Sequence, residues 1–202
     1  MIVIIDYNLG NKASIQNMIH KIGYDAVITN TISIIEEASH IIIPGVGAYD
    51  EGMMQLQKLD LISIITHKVI EKKTPILGIC LGFQLLCKNS EEGTIPGLGL
   101  LDAQFKKFPR TIDDSKLRSP HLGWNTVSNN SSQLLQKIEH PRFYFVHSYY
   151  GISNNTNYTI GETTYGIPFV SLIEHANIFG VQFHPEKSHS NGKQLLHNFL
   201  QL

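Results

Sequence analysis

Gly78-Ile79-Cys80-Leu81-Gly82 lies between Thr74-Pro75-Ile76-Leu77, a short apolar run that reads as a buried strand, and Phe83-Gln84-Leu85-Leu86-Cys87, which reads as the start of a helix. A G-x-C-x-G at a strand-to-helix junction is the cysteine form of a nucleophile elbow. The glycines permit a sharp turn because they carry no Cβ to clash. Cys80 would then stand at the end of a sheet and at a helix N-terminus, which favours the thiolate. Most cysteines are small buried hydrophobes. Here the flanking glycines and a His-x-Glu far downstream argue for a nucleophile.

That second segment is Gly180-Val181-Gln182-Phe183-His184-Pro185-Glu186. Asn177 to Phe183 reads as a strand, and Pro185, which lacks an N–H, ends it. In an extended segment His184 and Glu186 fall on the same side. Glu186 would hold the imidazole in one tautomer while His184 serves Cys80 as base and later as acid: a Cys-His-Glu triad. His184 is one of ten histidines, so its position after a strand and beside Glu186 carries the argument. A third stretch, Ile41-Ile42-Ile43-Pro44-Gly45-Val46-Gly47-Ala48-Tyr49, runs a buried strand into a glycine turn. Attack on an amide carbonyl creates an oxyanion that needs two N–H donors. Leu81 in the elbow would supply one, and the glycine loop could supply the other. The loop alone also suits a plain βα turn or a phosphate cradle, although Gly45 and Gly47 match neither the Walker spacing nor G-x-G-x-x-G.

The 202 residues are enough for one domain, spanning 1–202, with a sizeable core. Hydrophobic residues make up 42% and the net charge is −1, which gives no electrostatic footing for nucleic acid or an acidic membrane. The two cysteines, Cys80 and Cys87, are placed on one helix at a spacing unsuited to a disulfide, and Cys87 reads as core. This usage, with no signal peptide or membrane-length apolar run, fits a cytoplasmic protein.

Strands at Ile2 to Ile5, Ala26 to Thr29 and His40 to Ile43 alternate with helices. The first helix begins near the cap Asn11, a short one follows a Ser33-x-x-Glu36 capping box, and a third covers Leu61 to Lys72. This order predicts an α/β fold with a mostly parallel sheet flanked by helices. Shorter strands at Phe143 to Tyr150, Tyr158 to Thr164, Phe169 to Glu174 and Ile178 to Phe183 predict an added antiparallel section. Ser128 to Ser132 and Ser153 to Asn157 read as turns, and Gly192 to Leu200 as a C-terminal helix.

Gly-Ile-Cys-Leu-Gly-x-Gln, Pro-Gly-Val-Gly-Ala and Val-Gln-Phe-His-Pro-Glu-Lys-Ser together resemble the class I, triad-type glutamine amidotransferases, whose fold is flavodoxin-like. Ile5-Asp6-Tyr7, Gly10-Asn11, Ser90 to Gly93, His121 to Asn125 and Arg142 to Tyr149 narrow the resemblance to the glutaminase subunits of imidazole glycerol phosphate synthase, along essentially the whole chain. The resemblance implies a glutaminase with Cys80 as the nucleophile that forms a glutamyl thioester and releases ammonia. His184 is then its base and Glu186 the orienter, with Val46 and Leu81 as oxyanion donors. Gln84 would hold glutamine, as would Gly47, and the His147-Ser148-Tyr149 segment would meet its amino-acid end. His147 itself reads as a structural strand residue. Asn11, Trp124, Tyr144 and Lys187 would face a (β/α)8 cyclase partner, which receives ammonia through a tunnel in histidine biosynthesis. No cofactor or metal is implied.

The family's Gly-Ala-Phe is Gly47-Ala48-Tyr49 here, and the Met after its Cys-Leu-Gly is Phe83. With His189 these features resemble a paralogous branch, the glutaminase partners of sugar amidotransferases in surface-polysaccharide biosynthesis. Sugar amidation is therefore the alternative to histidine biosynthesis. A γ-glutamyl hydrolase or a chaperone-like relative would share the elbow without needing Gly123-Trp124-Asn125, and a non-catalytic module would not need all three triad residues.

Overall fold

The structure, a computed structural model, describes residues 1–112, 115–128 and 131–202. Its first half alternates strands and helices: β1 (Ile2–Ile5), α1 (Lys12–Lys21), β2 (Ala26–Thr29), α2 (Ile32–Glu36), β3 (His40–Gly45), α3 (Tyr49–Lys58), α4 (Leu61–Ile70), β4 (Ile76–Cys80) and α5 (Leu81–Leu86). Strands dominate the second half: β5 (Asn89–Ser90), β6 (Gln104–Lys107), β7 (Thr111–Ile112), β8 (Ser115–Lys116), β9 (His121–Thr126), β10 (Arg142–His147), β11 (Tyr149–Ile152), β12 (Thr159–Tyr165), β13 (Ile167–His175) and β14 (Ile178–Val181). A 3₁₀ turn, Pro185–Lys187, and α6 (His189–Phe199) complete the chain.

The main sheet runs β2-β1-β3-β4-β14-β13-β11-β6-β5, with β12 added beside β13. From β2 to β14 the pairs are parallel, and from β14 through β13 and β11 to β6 they are antiparallel. The predicted α/β fold with an antiparallel extension is thus the one observed. Period-2 alternation sends side chains to opposite faces. Val3, Ile5, Ile41 and Ile43 join one apolar cluster, while Ile2, Ile4 and Ile42 join the other. Helices α3 to α5 cover the first face and α1 and α6 the second. Because β3, β4 and β14 are adjacent and parallel, their C-terminal ends open at one edge of the sheet, where α/β proteins place ligands. Among the described residues no helix is long and apolar enough to cross a membrane.

Several local expectations need correction. Asn11 does cap α1, its Oδ1 accepting from Ser14 N at 3.4 Å. The Ser33–Glu36 box does not form: Thr31 occupies the N-cap of α2, without a side-chain bond. Glu36 instead ends that helix, where its carbonyl accepts from buried Lys68 Nζ at 2.6 Å. Helix α3 was not anticipated, because Gly52 interrupts its pattern. A Cβ there would stand 3.0 Å from the Leu85 methyl groups, so the glycine sits where α3 packs closely on α5. The strand from Phe143 to Tyr150 divides at Ser148, where His147 Nδ1 donates to Tyr149 O at 2.7 Å and turns the chain between sheets. Strand β14 stops at Val181, and α6 starts earlier than Gly192. Cys80 precedes α5 and Cys87 follows it, and both are free. The predicted turn at Ser128 to Ser132 extends over residues 129–130, outside the described residues.

Candidate active site

Cys80 sits at the junction of β4 and α5 with φ 54° and ψ −109°. A positive φ is costly for a residue with a Cβ, and such strain persists only where packing enforces it. The enforcement is visible on both sides of the sulfur. A Cβ on Gly82 would lie 1.8 Å from Ile43 O, and one on Gly78 would lie 2.7 Å from the Phe83 backbone. The elbow is therefore pressed against β3. In the parallel register Gly45 pairs with Cys80, which sets the Val46 peptide just beyond the nucleophile.

His184 arrives from the other neighbouring strand. Its backbone N–H donates to Tyr144 O at 2.9 Å, and its carbonyl accepts from Ser188 Oγ at 2.6 Å. His184 Nδ1 lies 2.7 Å from Glu186 Oε1, both side chains being almost wholly buried. The link between them is the 3₁₀ turn rather than the extended segment expected. Nε2 of His184 is buried without a well-formed hydrogen bond. Burial disfavours a charged ring here, but the charge and hydrogen bond of Cys80, followed by the bond and charge of Glu186, outweigh it and push the His184 pKa up to about 10. With Nδ1 engaged by Glu186, Nε2 is the ring nitrogen left for Cys80.

A cavity of about 320 Å³ lies over the sulfur. Every substrate-binding residue read from the sequence lines it, namely Gly47, Gln84, His147, Ser148 and Tyr149, together with Val46, Cys80 and Leu81. His147 fits its structural reading. Its Nδ1 is committed to Tyr149 O, so in the neutral ring Nε2 accepts, and His121 Nδ1 is its donor at 3.0 Å. His121 Nε2 in turn accepts from Asn125 Nδ2 at 3.3 Å, and that amide also donates to Thr164 O at 2.9 Å. Burial pushes His121 down to about 4 and His147 to about 3, so one tautomer assignment satisfies the whole relay and pins the Ser148–Tyr149 backbone.

Glu92 is a cavity residue that sequence reasoning left without a role. Burial raises its carboxyl pKa against a stabilising Tyr49 N–H. Asp50 places the loop that follows it, accepting from Thr94 N and Ile95 N at 3.0 Å. The only signal in the sequence was the Ser90-Glu91-Glu92-Gly93 match. Of the proposed interface residues, Trp124 and Tyr144 are cross-strand partners on β9 and β10, and Lys187 Nζ lies 5.7 Å from the Tyr144 ring centroid. Trp124 is 39% exposed and stacks on His189 at 5.4 Å, with 9° between the planes. Asn11 is apart from this cluster in role, its side chain being used as the α1 cap.

Residues 3–202 match the family model described as glutamine amidotransferase class-I. The chain is 49% identical over 202 residues to "Imidazole glycerol phosphate synthase subunit HisH 2" of Methanococcus maripaludis, covering 99% of this chain and 98% of the relative. It is 44% identical over 211 residues to the protein of the same description in Pseudomonas aeruginosa, covering both chains fully. Among solved structures, a "glutamine amidotransferase" superposes with a TM-score of 0.75 at 15% identity, over 98% of this chain and 97% of that one. PurLQS from Thermotoga maritima superposes at 0.70 and 17% identity, over 99% and 97%. These two likenesses are of fold.

Proposed function

Because the chain belongs to the class I glutamine amidotransferases, we propose that it is the glutaminase subunit of an imidazole glycerol phosphate synthase, hydrolysing L-glutamine and passing ammonia to a (β/α)8 cyclase in histidine biosynthesis. The observation that carries the chemistry is Cys80 in its elbow on the cavity wall, with His184 coupled to it and held 2.7 Å from Glu186 Oε1.

The steps follow from the residues present. Glutamine enters with its ammonium toward Glu92 and its amino-acid end along Ser148–Tyr149. Cys80 Sγ attacks the carboxamide carbon, and the π electrons move to oxygen, where the Leu81 and Val46 N–H groups hold the charge. The C–N bond then breaks as His184 Nε2 gives its proton to the leaving nitrogen, releasing ammonia and leaving a thioester. Water next attacks the thioester, His184 accepts a proton, and the C–S bond breaks to give glutamate and the thiolate. His184 therefore begins the cycle as the acid, and Glu186 keeps Nε2 aimed at the reacting nitrogen.

The partner would dock on the face that carries Trp124, Tyr144 and Lys187. Leu122, two residues from Trp124 on β9 and 62% exposed, extends this face as apolar surface, and Val46, 43% exposed, lines the cavity. One observation favours a second acceptor: His189, the residue that resembles the sugar-amidating paralogues, is stacked on Trp124 in that docking face. The partner in that reading is a sugar amidotransferase.

Cys80→Ala tests the reaction. Glutamate release in the presence of the partner should be abolished while the melting temperature changes little, and retained turnover would sink the triad assignment. Adding the cyclase with its ribonucleotide ligand should raise glutamine hydrolysis sharply. Stimulation by a sugar amidotransferase alone would establish the second reading instead.

A further inference from the structure

Glu92 must keep one position if it is to face the ammonium of glutamine, yet it stands in the irregular stretch between β5 and β6. Its side chain lines the cavity and is open to solvent. Burial and then the charge of Glu92 raise the Tyr149 phenol pKa, which puts that carboxylate near the Ser148–Tyr149 wall.

Two other carboxylates suspend the stretch. On the upstream side Glu91 N–H donates to Phe105 O at 2.9 Å, and Glu91 Oε2 accepts from Lys107 N at 2.8 Å, which ties it to β6. On the downstream side Asp50 Oδ1 accepts from Thr94 N and Ile95 N, both at 3.0 Å, and Asp50 Oδ2 accepts from Thr94 Oγ1 at 3.3 Å. Gly93 lies between the two ties, and a Cβ on it would stand 1.9 Å from Asp50 Oδ1. Its backbone is not left-handed, so the close approach of Asp50 is what glycine serves there. Asp50 itself sits in the first turn of α3, which begins two residues beyond Gly47. The loop of the candidate oxyanion donor and the loop of Glu92 therefore meet at one turn of helix.

We infer that Asp50 is a positioning residue for substrate recognition: by clamping Thr94 and Ile95 to the first turn of α3, it holds Glu92 where the ammonium of glutamine lies when the carboxamide is at Cys80. This deepens the glutaminase reading above and rests on it.

The plain alternative is that Asp50 serves α3 alone, since an acidic residue in a first turn meets the positive end of the helix dipole. That role needs no partner in another loop. Asp50 has three donors, all from Thr94 and Ile95. The Ile95 and Thr94 N–H groups hold its carboxyl below the usual carboxylate range, so the tie is charge-assisted at neutral pH. A glutamine held at both Cys80 and Glu92 is measured along its length. A carboxylate that wanders loses the ammonium without altering the sulfur. Loss of the clamp should therefore weaken binding and leave bond breaking alone, which raises KM and keeps kcat.

Glutaramate, which is glutamine without its ammonium, is the probe. Ammonia release from glutamine and from glutaramate is measured in the complex with the partner. Asp50→Ala should raise the KM for glutamine about tenfold, the scale of one hydrogen bond to a charged group, with kcat within about threefold. Its preference for glutamine over glutaramate should fall by the same factor. Asp50→Asn should restore the parent values, because the amide oxygen can accept from Thr94 N and Ile95 N while the NH₂ donates to Thr94 Oγ1. Glu92→Gln should lose the preference directly, and adding Asp50→Ala to it should cost nothing more, as a double-mutant cycle requires of a residue acting only through Glu92. Amide hydrogen exchange at Thr94 and Ile95, measured without substrate, should quicken about tenfold or more in Asp50→Ala. If that variant fails to fold, Asp50→Ser takes its place in every assay. Unchanged exchange overturns the clamp. A preference that survives Asp50→Ala, or a second loss of preference on top of Glu92→Gln, overturns the positioning role and leaves Asp50 as a helix-terminus charge. If the parent complex releases no ammonia from glutamine, the glutaminase reading itself fails, while exchange still decides the clamp.

Discussion

Two glycine-rich segments flank the sulfur, and they are built on opposite principles. In the elbow the glycines are demanded by contact: Cβ atoms on Gly78 and Gly82 would meet backbone at 2.7 and 1.8 Å. In the Gly45–Gly47 loop only the first glycine is held that way, with Tyr7 Oη at 2.5 Å and Leu81 Cβ at 2.6 Å from where its Cβ would stand. The buried Tyr7 hydroxyl also donates to Pro44 O and fixes the entry to the loop. Gly47 faces open space, with nothing nearer than Leu9 at 3.7 Å, and is a glycine because its φ is 130°. The nucleophile is thus clamped, whereas the loop carrying its candidate second oxyanion donor is anchored at one end and free to turn at the other. Packing thus fixes the nucleophile, while the peptide at Val46 is left room to turn. Acceptor binding at the partner would act by favouring the loop conformation in which Val46 N–H points at the oxyanion.

The largest effect expected is from Gly82→Ala. The added methyl would drive into the Ile43 carbonyl of β3, and overpacking against backbone belongs to the most destabilising class of single substitutions. A loss of more than about 4 kcal/mol in denaturant unfolding is expected. A near-parental midpoint would show that the elbow is not clamped.

Gly47→Pro comes next. It removes an N–H and restricts both its own φ and the conformation of Val46. Partner-stimulated glutamate release should drop by roughly 10² to 10³, the scale of one oxyanion donor, with the unstimulated rate and complex formation much less affected. Equal stimulation in variant and parent would move the switch elsewhere and leave the triad standing.

A smaller effect is expected where neither glycine segment is touched. Glu186→Gln keeps an acceptor for His184 Nδ1 but removes the charge that helps lift the ring to about 10. Since the raised pKa keeps the imidazolium available as acid, activity should fall as pH rises toward about 10 in the parent. In the variant that alkaline limb should move to lower pH, with a rate loss of about 10- to 100-fold at neutral pH. An unmoved limb would show that Glu186 orients the ring without charging it.

The sequence made the local parts of this site legible and the long-range parts obscure. Cys80 and Gly82 could be read because an elbow needs glycine within one turn, and Asn11 because a cap announces itself beside its helix. The His184–Glu186 pairing was also legible, although the 3₁₀ turn that achieves it was not. Gln182 was quoted within a recognised motif yet given no role, because its partners are Cys80 and Gln84, far away in the chain. An amide just past the end of an apolar strand carries no periodic signal. Helix α3 was hidden for a related reason: Gly52, which faces Leu85 of α5, also breaks the helical pattern.

The histidine relay behind the cavity has a consequence for acid stability. His121 and His147 are held near 4 and 3 in the folded protein, against 6.5 for an ordinary histidine. As pH falls below about 6.5 the unfolded chain takes up two protons that the folded chain refuses, so each step toward pH 4 tilts the balance to unfolding. Above 6.5 neither state binds these protons and the tilt disappears. Protonating either ring would also reverse a donor and an acceptor in a chain that has only one satisfied direction, so the first structure to loosen in acid would be the Ser148–Tyr149 wall that receives the substrate.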